Sequence, residues 1–333
     1  MILNFEHNQS AHCENGVISN LLNFHGLKVS EPMVFGIGSG LFFAYIPFVK
    51  LNNLPATSFR PVPGVIFKRF TKKLGIKMYR RKFSDYKESM DELDKYLNQG
   101  IPVGLQVGAY HLSYFPRPYR FHFNMHNIVV FGKEEGKYLI SDPVMEGPTE
   151  LSYDELLRVR YARGAFAPNG QMYFPIEIPR NIDFQSAIKK GLKKTAKDML
   201  KIPIPLFGVK GIRFLARQIR KWPKKLGDKT ASLYLSQVVR MQEEIGTGGA
   251  GFRFMFGAFL QEARKYWNHP DLFDISKEVT AAGDRWRDFA VMAGRIAKNR
   301  ASASENYDAA SEILLNAADR EEKIFKRILG VVG

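Results

Sequence analysis

A chain of 333 residues that is 45% hydrophobic and 25% charged holds enough apolar material for packed cores, which excludes a disordered or collagen-like protein. Its single cysteine, Cys13, excludes an internal disulfide framework and a cysteine-based zinc or iron–sulfur site, and no apolar run approaches the length that spans a bilayer. The net charge of +16 points to an anionic partner.

Taken in chain order, Met1–Gln9 lacks a basic start followed by an apolar stretch, so no signal peptide is expected and the chain is placed in the cytoplasm. Val17, Ile18, Leu21 and Leu22 recur at helical spacing across Glu14–Phe24, and Gly26 stops that helix. Gly36-Ile37-Gly38-Ser39-Gly40 lacks the spacing and the Lys-Ser or Lys-Thr of a phosphate loop, and reads as a tight turn or a close backbone approach. The aromatic run Leu41–Phe48 reads as core packing, with a wall for an apolar chain as the alternative. Ile76–Phe83 is strand-like, and Ser84–Asn98 reads as a helix with Ser84 as N-cap and Gly100 beyond its end. Further strands are expected at Pro102–Ala109, His126–Phe131, Lys137–Ser141 and Met172–Ile178, with a hairpin turn at Lys133–Gly136. Ser152 and Glu155 form a capping-box pattern. His122 and His126 stand four apart at a strand entry without a metalloprotease Glu, so no metal is expected. After Arg180 the pattern turns helical at 183–200, 209–221, 230–245, 252–267, 275–299 and 304–329. This divides the chain into a mixed domain at 1–179 and a helical domain with a basic surface at 180–333.

Between Asp183 and Leu226, thirteen Lys and Arg face two Asp, a local net charge of +11. Such a segment is a solvated helix face, or it meets an acidic protein or an anionic lipid surface. Ile188, Leu192, Met199, Ile212, Phe214, Leu215 and Ile219 lie among the charges, as an interfacial helix requires. No nucleic-acid-binding motif accompanies the charge, so nucleic acid is not expected as a partner.

One constellation carries chemistry. Cys13 stands at the start of the first helix, where unpaired amides and the helix dipole favour thiolate. His126 opens an apolar strand and Asp142 ends the next, so an antiparallel pair brings them together. A thiol nucleophile needs a base, and the base an orienting group. The order Cys, distant His, Asp is that of papain-like enzymes. The alternative is a small core thiol and ordinary turn residues.

Glu6–Gly16, Leu21-Leu22 and Ser30–Gly40, with the blocks around His126 and Asp142, resemble the N-terminal domain of the butirosin-biosynthesis protein H family. More distantly they resemble the papain-like peptidases that remove double-glycine leader peptides, and the helical half resembles the uncharacterised domain that commonly follows this N-terminal domain. The resemblance implies an α+β papain-like fold, with the Cys on an N-terminal helix and the His and Asp on an antiparallel sheet, followed by an all-helical region.

It also implies a cysteine acyltransferase that takes an acyl group from an acyl carrier protein thioester and places it on an amine or hydroxyl of a small-molecule acceptor. A peptidase or amidase on the same triad, and a non-catalytic binding protein for acidic protein or anionic lipid, are the alternatives. No cofactor is implied beyond a phosphopantetheine-linked donor. In papain-like enzymes a Gln shortly before the Cys supplies an oxyanion donor; the position here is His7, with Asn8 and Gln9 nearby. His12, Glu14, Gly38, Ser39, Phe42, Phe43 and Tyr45 are candidates for substrate binding. Lys189, Lys193, Lys194, Lys197, Arg213, Arg217 and Arg220 are candidates for an acidic carrier protein, or for peripheral contact with an anionic membrane.

Overall fold

The computed structural model describes residues 1–51 and 53–333. In chain order its elements are α1 (Cys13–Phe24), α2 (Glu31–Ile37), β1 (Ala44–Leu51), β2 (Leu54–Ser58), α3 (Val65–Leu74), β3 (Lys77–Arg81), α4 (Tyr86–Asn98), β4 (Val103–Val107), β5 (His126–Glu134), β6 (Lys137–Ser141), β7 (Thr149–Ser152), α5 (Tyr153–Arg160) and β8 (Met172–Glu177), followed by α6 (Phe184–Leu200), α7 (Gly208–Leu226), α8 (Asp228–Glu243), α9 (Arg253–Ala263), α10 (Asp271–Ala297) and α11 (Tyr307–Val332). Two compact units emerge: Met1–Val34 with Phe70–Ile182, and Phe35–Arg69 with Asp183–Gly333.

The first unit is built on a six-stranded antiparallel sheet in the order β3-β8-β4-β5-β6-β7. Alternation along the strands sorts its two faces. Val103, Leu105 and Val107 of β4, with Ile128 and Val130 of β5, enter one core with Met90, Leu93 and Leu97 of α4 and Leu156 and Val159 of α5. On β5 the intervening residues turn the other way, and α1 packs against that strand. Gly104 is required here, because a Cβ would meet the Tyr173 ring at 2.4 Å. The helix expected from Ser84 is capped by Asp85 instead, whose carboxylate accepts from the Glu88 N–H at 2.6 Å. The capping box at Ser152 and Glu155 is formed. An N-terminal arm runs beside β5, with the Leu3 N–H donating to Phe131 O.

The second unit joins the β1–β2 hairpin to helices α6–α11. Its core centres on Trp286, which meets Phe43, Phe59 and Phe289. Trp286 Nε1 donates to Glu321 at 2.6 Å, and that carboxylate also pairs with Arg253; both ions are almost fully buried. α7 runs five residues past Lys221, through Pro223, to a stop at Gly227, whose φ is +74°. Among the described residues no helix is long and apolar enough to cross a membrane.

Candidate active site

Three segments of the first unit converge on Cys13. The first is the loop before α1. Ala11 and His12 donate their N–H groups to the two oxygens of Glu31, at 3.0 and 2.7 Å. Burial pushes the Glu31 carboxyl up to about 7, and these two bonds oppose it. The Ser10 N–H donates to Pro143 O at 2.6 Å. Gly16 allows that closeness, since a Cβ would lie 2.6 Å from both the Pro143 and Ser10 Cβ atoms. Cys13 then opens α1 as its first residue, and the capping residue His12 offers no side-chain bond to the first turn.

The second and third segments are the start of β5 and the end of β6. Their register pairs Val129 with Ser141, which sets Asp142 beside His126. His126 Nε2 meets Asp142 Oδ2 at 2.7 Å. Tyr114 donates to the same oxygen at 2.8 Å, and the Val144 N–H donates to Oδ1 at 3.2 Å. Asp142 is therefore fully buried yet satisfied on both oxygens. The Phe115 ring stands nearly edge-on to the imidazole at 5.1 Å. With Nε2 on Asp142, Nδ1 is the ring nitrogen left for Cys13, whose sulfur is near enough to act electrostatically on His126. Burial pulls the imidazolium down, but Asp142 and Cys13 outweigh it and carry His126 from 6.5 up to about 10. The imidazole thus stands between a sulfur and a carboxylate.

Asn127 completes the cluster. It follows His126 on the alternate side of β5 and turns toward α1. Tyr173 donates to its Oδ1 at 2.8 Å, which leaves Nδ2 to donate to Met125 O at 3.0 Å and toward Cys13 Sγ at 4.0 Å. Sequence reasoning missed Asn127, Tyr173, Tyr114 and Glu31. Period-two alternation after His126 was the available signal for Asn127; Tyr114 lies in an irregular connection that offers none.

The other residues singled out from the sequence fall elsewhere. Both ring nitrogens of His7 are engaged, with Ser141 Oγ at 2.7 Å and Met145 O at 3.1 Å. Asn8 offers its carbonyl to Asn20 Nδ2, and Gln9 is exposed. His12 and Glu14 are buried at the start of α1. Gly38, Ser39, Phe42, Phe43 and Tyr45 belong to the second unit. There Ser39 Oγ donates to Gly191 O, Phe42 meets Phe207, Phe43 sits against Phe59 and Trp286, and Tyr45 sits against Phe214 and Trp222.

Part of the basic segment is engaged within the second unit. Arg213 pairs with Asp319 and Glu322, Arg220 with Glu312 and Asp308, and Lys194 with Asp198. Lys189 lies over the Trp267 ring and Lys193 donates to Gly333 O. Lys197 and Arg217 form no ion pair among the described residues. Among the described residues no three His, Cys, Asp or Glu side chains cluster as a metal site would require; His122 instead stacks on Tyr110 at 4.1 Å.

Residues 12–143 match the family described as butirosin biosynthesis protein H, N-terminal, an interval that begins one residue before Cys13 and ends one after Asp142. Residues 154–328 match the domain of unknown function DUF4872. Among solved structures, a C39-like peptidase from Bacillus anthracis is similar at 14% identity with a TM-score of 0.37, over 54% of this chain and 98% of that one. No curated protein matches the sequence. The fold is α+β, an N-terminal helix against an antiparallel sheet, followed by a helical region, and the chain belongs to the DUF4872 family, carried here behind a butirosin biosynthesis protein H N-terminal domain.

Proposed function

We propose that the protein is a cysteine acyltransferase that moves an acyl group from a carrier-protein thioester, through an acyl-Cys13 intermediate, to an amine or hydroxyl of a small molecule. The observation that carries this reading is the buried relay from Cys13 through His126 to Asp142, inside the segment that matches the family. With the shared proton held on His126, the sulfur attacks the thioester carbonyl. As the tetrahedral intermediate collapses, the donor C–S bond breaks and the imidazolium returns its proton to the departing thiolate. The acceptor then attacks the acyl-Cys13 carbonyl, its proton goes to His126, and Cys13 leaves as thiolate. Asp142 holds the ring in the tautomer this needs. The Cys13 backbone N–H and the Asn127 carboxamide are the two groups suited to the oxyanion, in place of the engaged His7. Phe115 packs against the imidazole.

Intact-protein mass spectrometry tests this reading. Wild type and Cys13→Ala are mixed with a panel of acyl-carrier thioesters, then with candidate amines. The expected result is an acyl mass on wild type only, discharged faster by an amine than by water. Discharge by water alone would make the protein a hydrolase. Acyl mass on the Cys13→Ala protein, or normal turnover by it, would overturn the mechanism.

A further inference from the structure

The connection from β4 to β5 has two sides. On one, Tyr114 donates to Asp142 and Phe115 packs against His126. On the other, with α5, it walls a cavity of about 430 Å³ lined by Arg117, Arg120, Arg158, His111 and Ser113, with Glu155 as its one acid. That acid is already engaged: its Oε2 accepts from the Ser152 N–H and hydroxyl, and these bonds, with the Ser113 side chain and the charge of Arg158, hold it below the usual carboxylate range. Arg120 donates to Phe115 O and Ser113 O, two carbonyls that leave its charge uncompensated. Arg117 and Arg158 form no ion pair among the described residues, whereas Arg213, Arg220, Arg253 and Arg327 all pair with carboxylates. Burial, then Arg158 and His122, hold the exposed His111 below its ordinary value, as a positive field would.

Three guanidinium groups around a recess, one wall of which also seats the catalytic His and Asp, suit an anion with several oxygens. Arginine forks match phosphate oxygens two at a time. We propose that this cavity binds phosphate, and that the phosphate is that of the phosphopantetheine arm whose thioester meets Cys13. The assignment of the arm rests on the acyltransferase reading; the phosphate site stands apart from it. A membrane surface fits less well, because the arginines line a recess.

Two probes that differ only in the phosphate decide the matter: the same acyl thioester on pantetheine and on 4′-phosphopantetheine. Cys13 acylation is followed by intact mass at subsaturating donor. Wild type should acylate about ten to a hundred times faster from the phosphorylated donor, a ratio set by one or two charge-assisted bonds. The ratio should fall toward one in the Arg117→Ala/Arg158→Ala double variant, survive in part in the Lys/Lys variant, and shrink with added salt. Iodoacetamide alkylation of Cys13 checks that each variant is folded at the site. In parallel, calorimetry titrates Cys13→Ala with 4′-phosphopantetheine, pantetheine and inorganic phosphate. Binding of the first alone, lost in the arginine variant, supports the site even if no thioester acylates Cys13, a failure that would fall on the acyltransferase reading. Equal rates and equal binding for the two probes would overturn the phosphate site. Inorganic phosphate binding as tightly as phosphopantetheine, with no donor preference, would overturn the assignment of the arm.

Discussion

Asp142→Asn removes a charge from the centre of the relay while keeping the shape of the side chain. In wild type His126 rises from 6.5 to about 10 against its own burial, so the charge partners together outweigh that burial by about 5 kcal/mol toward the imidazolium. An Asn can present its oxygen where Oδ2 now accepts from His126 and Tyr114, at the cost of the Val144 N–H bond on the other side. The hydrogen bonds to the ring and the phenol then survive and the charge does not. Burial remains, so His126 should titrate near 7 or below, roughly a thousandfold weaker proton binding. Nitrogen-15 NMR of the imidazoles between pH 5 and 11 reads this directly, with a His126→Gln sample to assign the signal. The linkage has a definite sign. A base raised in the folded state stabilises the fold fully below 6.5 and loses that contribution as pH rises through 10. The stability gap between wild type and variant in urea should therefore be widest near pH 6 and close toward pH 10. Acylation by a thioester should fall by about 10²–10⁴. A wild-type midpoint near 6.5, an unchanged midpoint in the variant, or a gap that widens with pH would refute the electrostatic account.

Asn127→Ala should lower kcat for acyl transfer by about 10²–10³ with KM within about threefold, as loss of one oxyanion donor does; an effect on KM alone would make Asn127 a packing residue. Gly16→Ala forces a Cβ to 2.6 Å from Pro143 and Ser10, so α1 must move off the Asp142 loop. It should cost about 1–3 kcal/mol in urea and slow Cys13 alkylation, whereas an unchanged alkylation rate would show that the contact does not position the thiol. Glu321→Ala strands Arg253 and the Trp286 N–H in the helical core and should destabilise by about 3–5 kcal/mol, with Arg253→Met/Glu321→Leu recovering part of the loss. Equal stability of the single and double variants would refute it.

What was legible in the sequence had local causes. Turn residues and alternation mark the sheet strands from β3 to β6 and β8, and the Ser152 capping box is a four-residue signal. Cys13, His126 and Asp142 are legible because a helix start, a strand start and a strand end are each local, and one antiparallel pairing joins the last two. The rest depends on partners distant in sequence. Glu31 reads as an ordinary helix-start acid until the fold folds it back under Ala11 and His12. Tyr114 acquires a role only through Asp142, in a segment with no period to read. The excursion 35–69 carries its own hairpin, yet its apolar residues find their neighbours at Phe207, Trp222, Phe259 and Trp286, more than a hundred residues away. Gly36 shows the same dependence: it is needed because a Cβ would meet the Phe259 ring at 2.0 Å, not because a turn demands it.

Composition misleads most where charge is counted without geometry. The +11 of 183–226 looks like the strongest anion-binding feature of the chain, yet α11 returns Asp308, Glu312, Asp319 and Glu322 against the α7 arginines. Paired exposed charges cancel beyond about a Debye length, near 10 Å at 0.1 M salt. Arg117, Arg120 and Arg158 are only three charges, scattered through a segment that is unremarkable in sequence, but nothing stronger than one occupied acid opposes them. The field an acidic carrier meets is set by what remains unpaired, not by the local sum. The two surfaces make different forecasts for the carrier-dependent reaction. Arg117→Ala/Arg158→Ala should raise KM for the carrier protein at least about tenfold at low salt, and Lys197→Ala/Arg217→Ala less than about threefold. The reverse order would return the docking surface to α6 and α7 and show that the helical unit, despite its internal pairs, presents the stronger field.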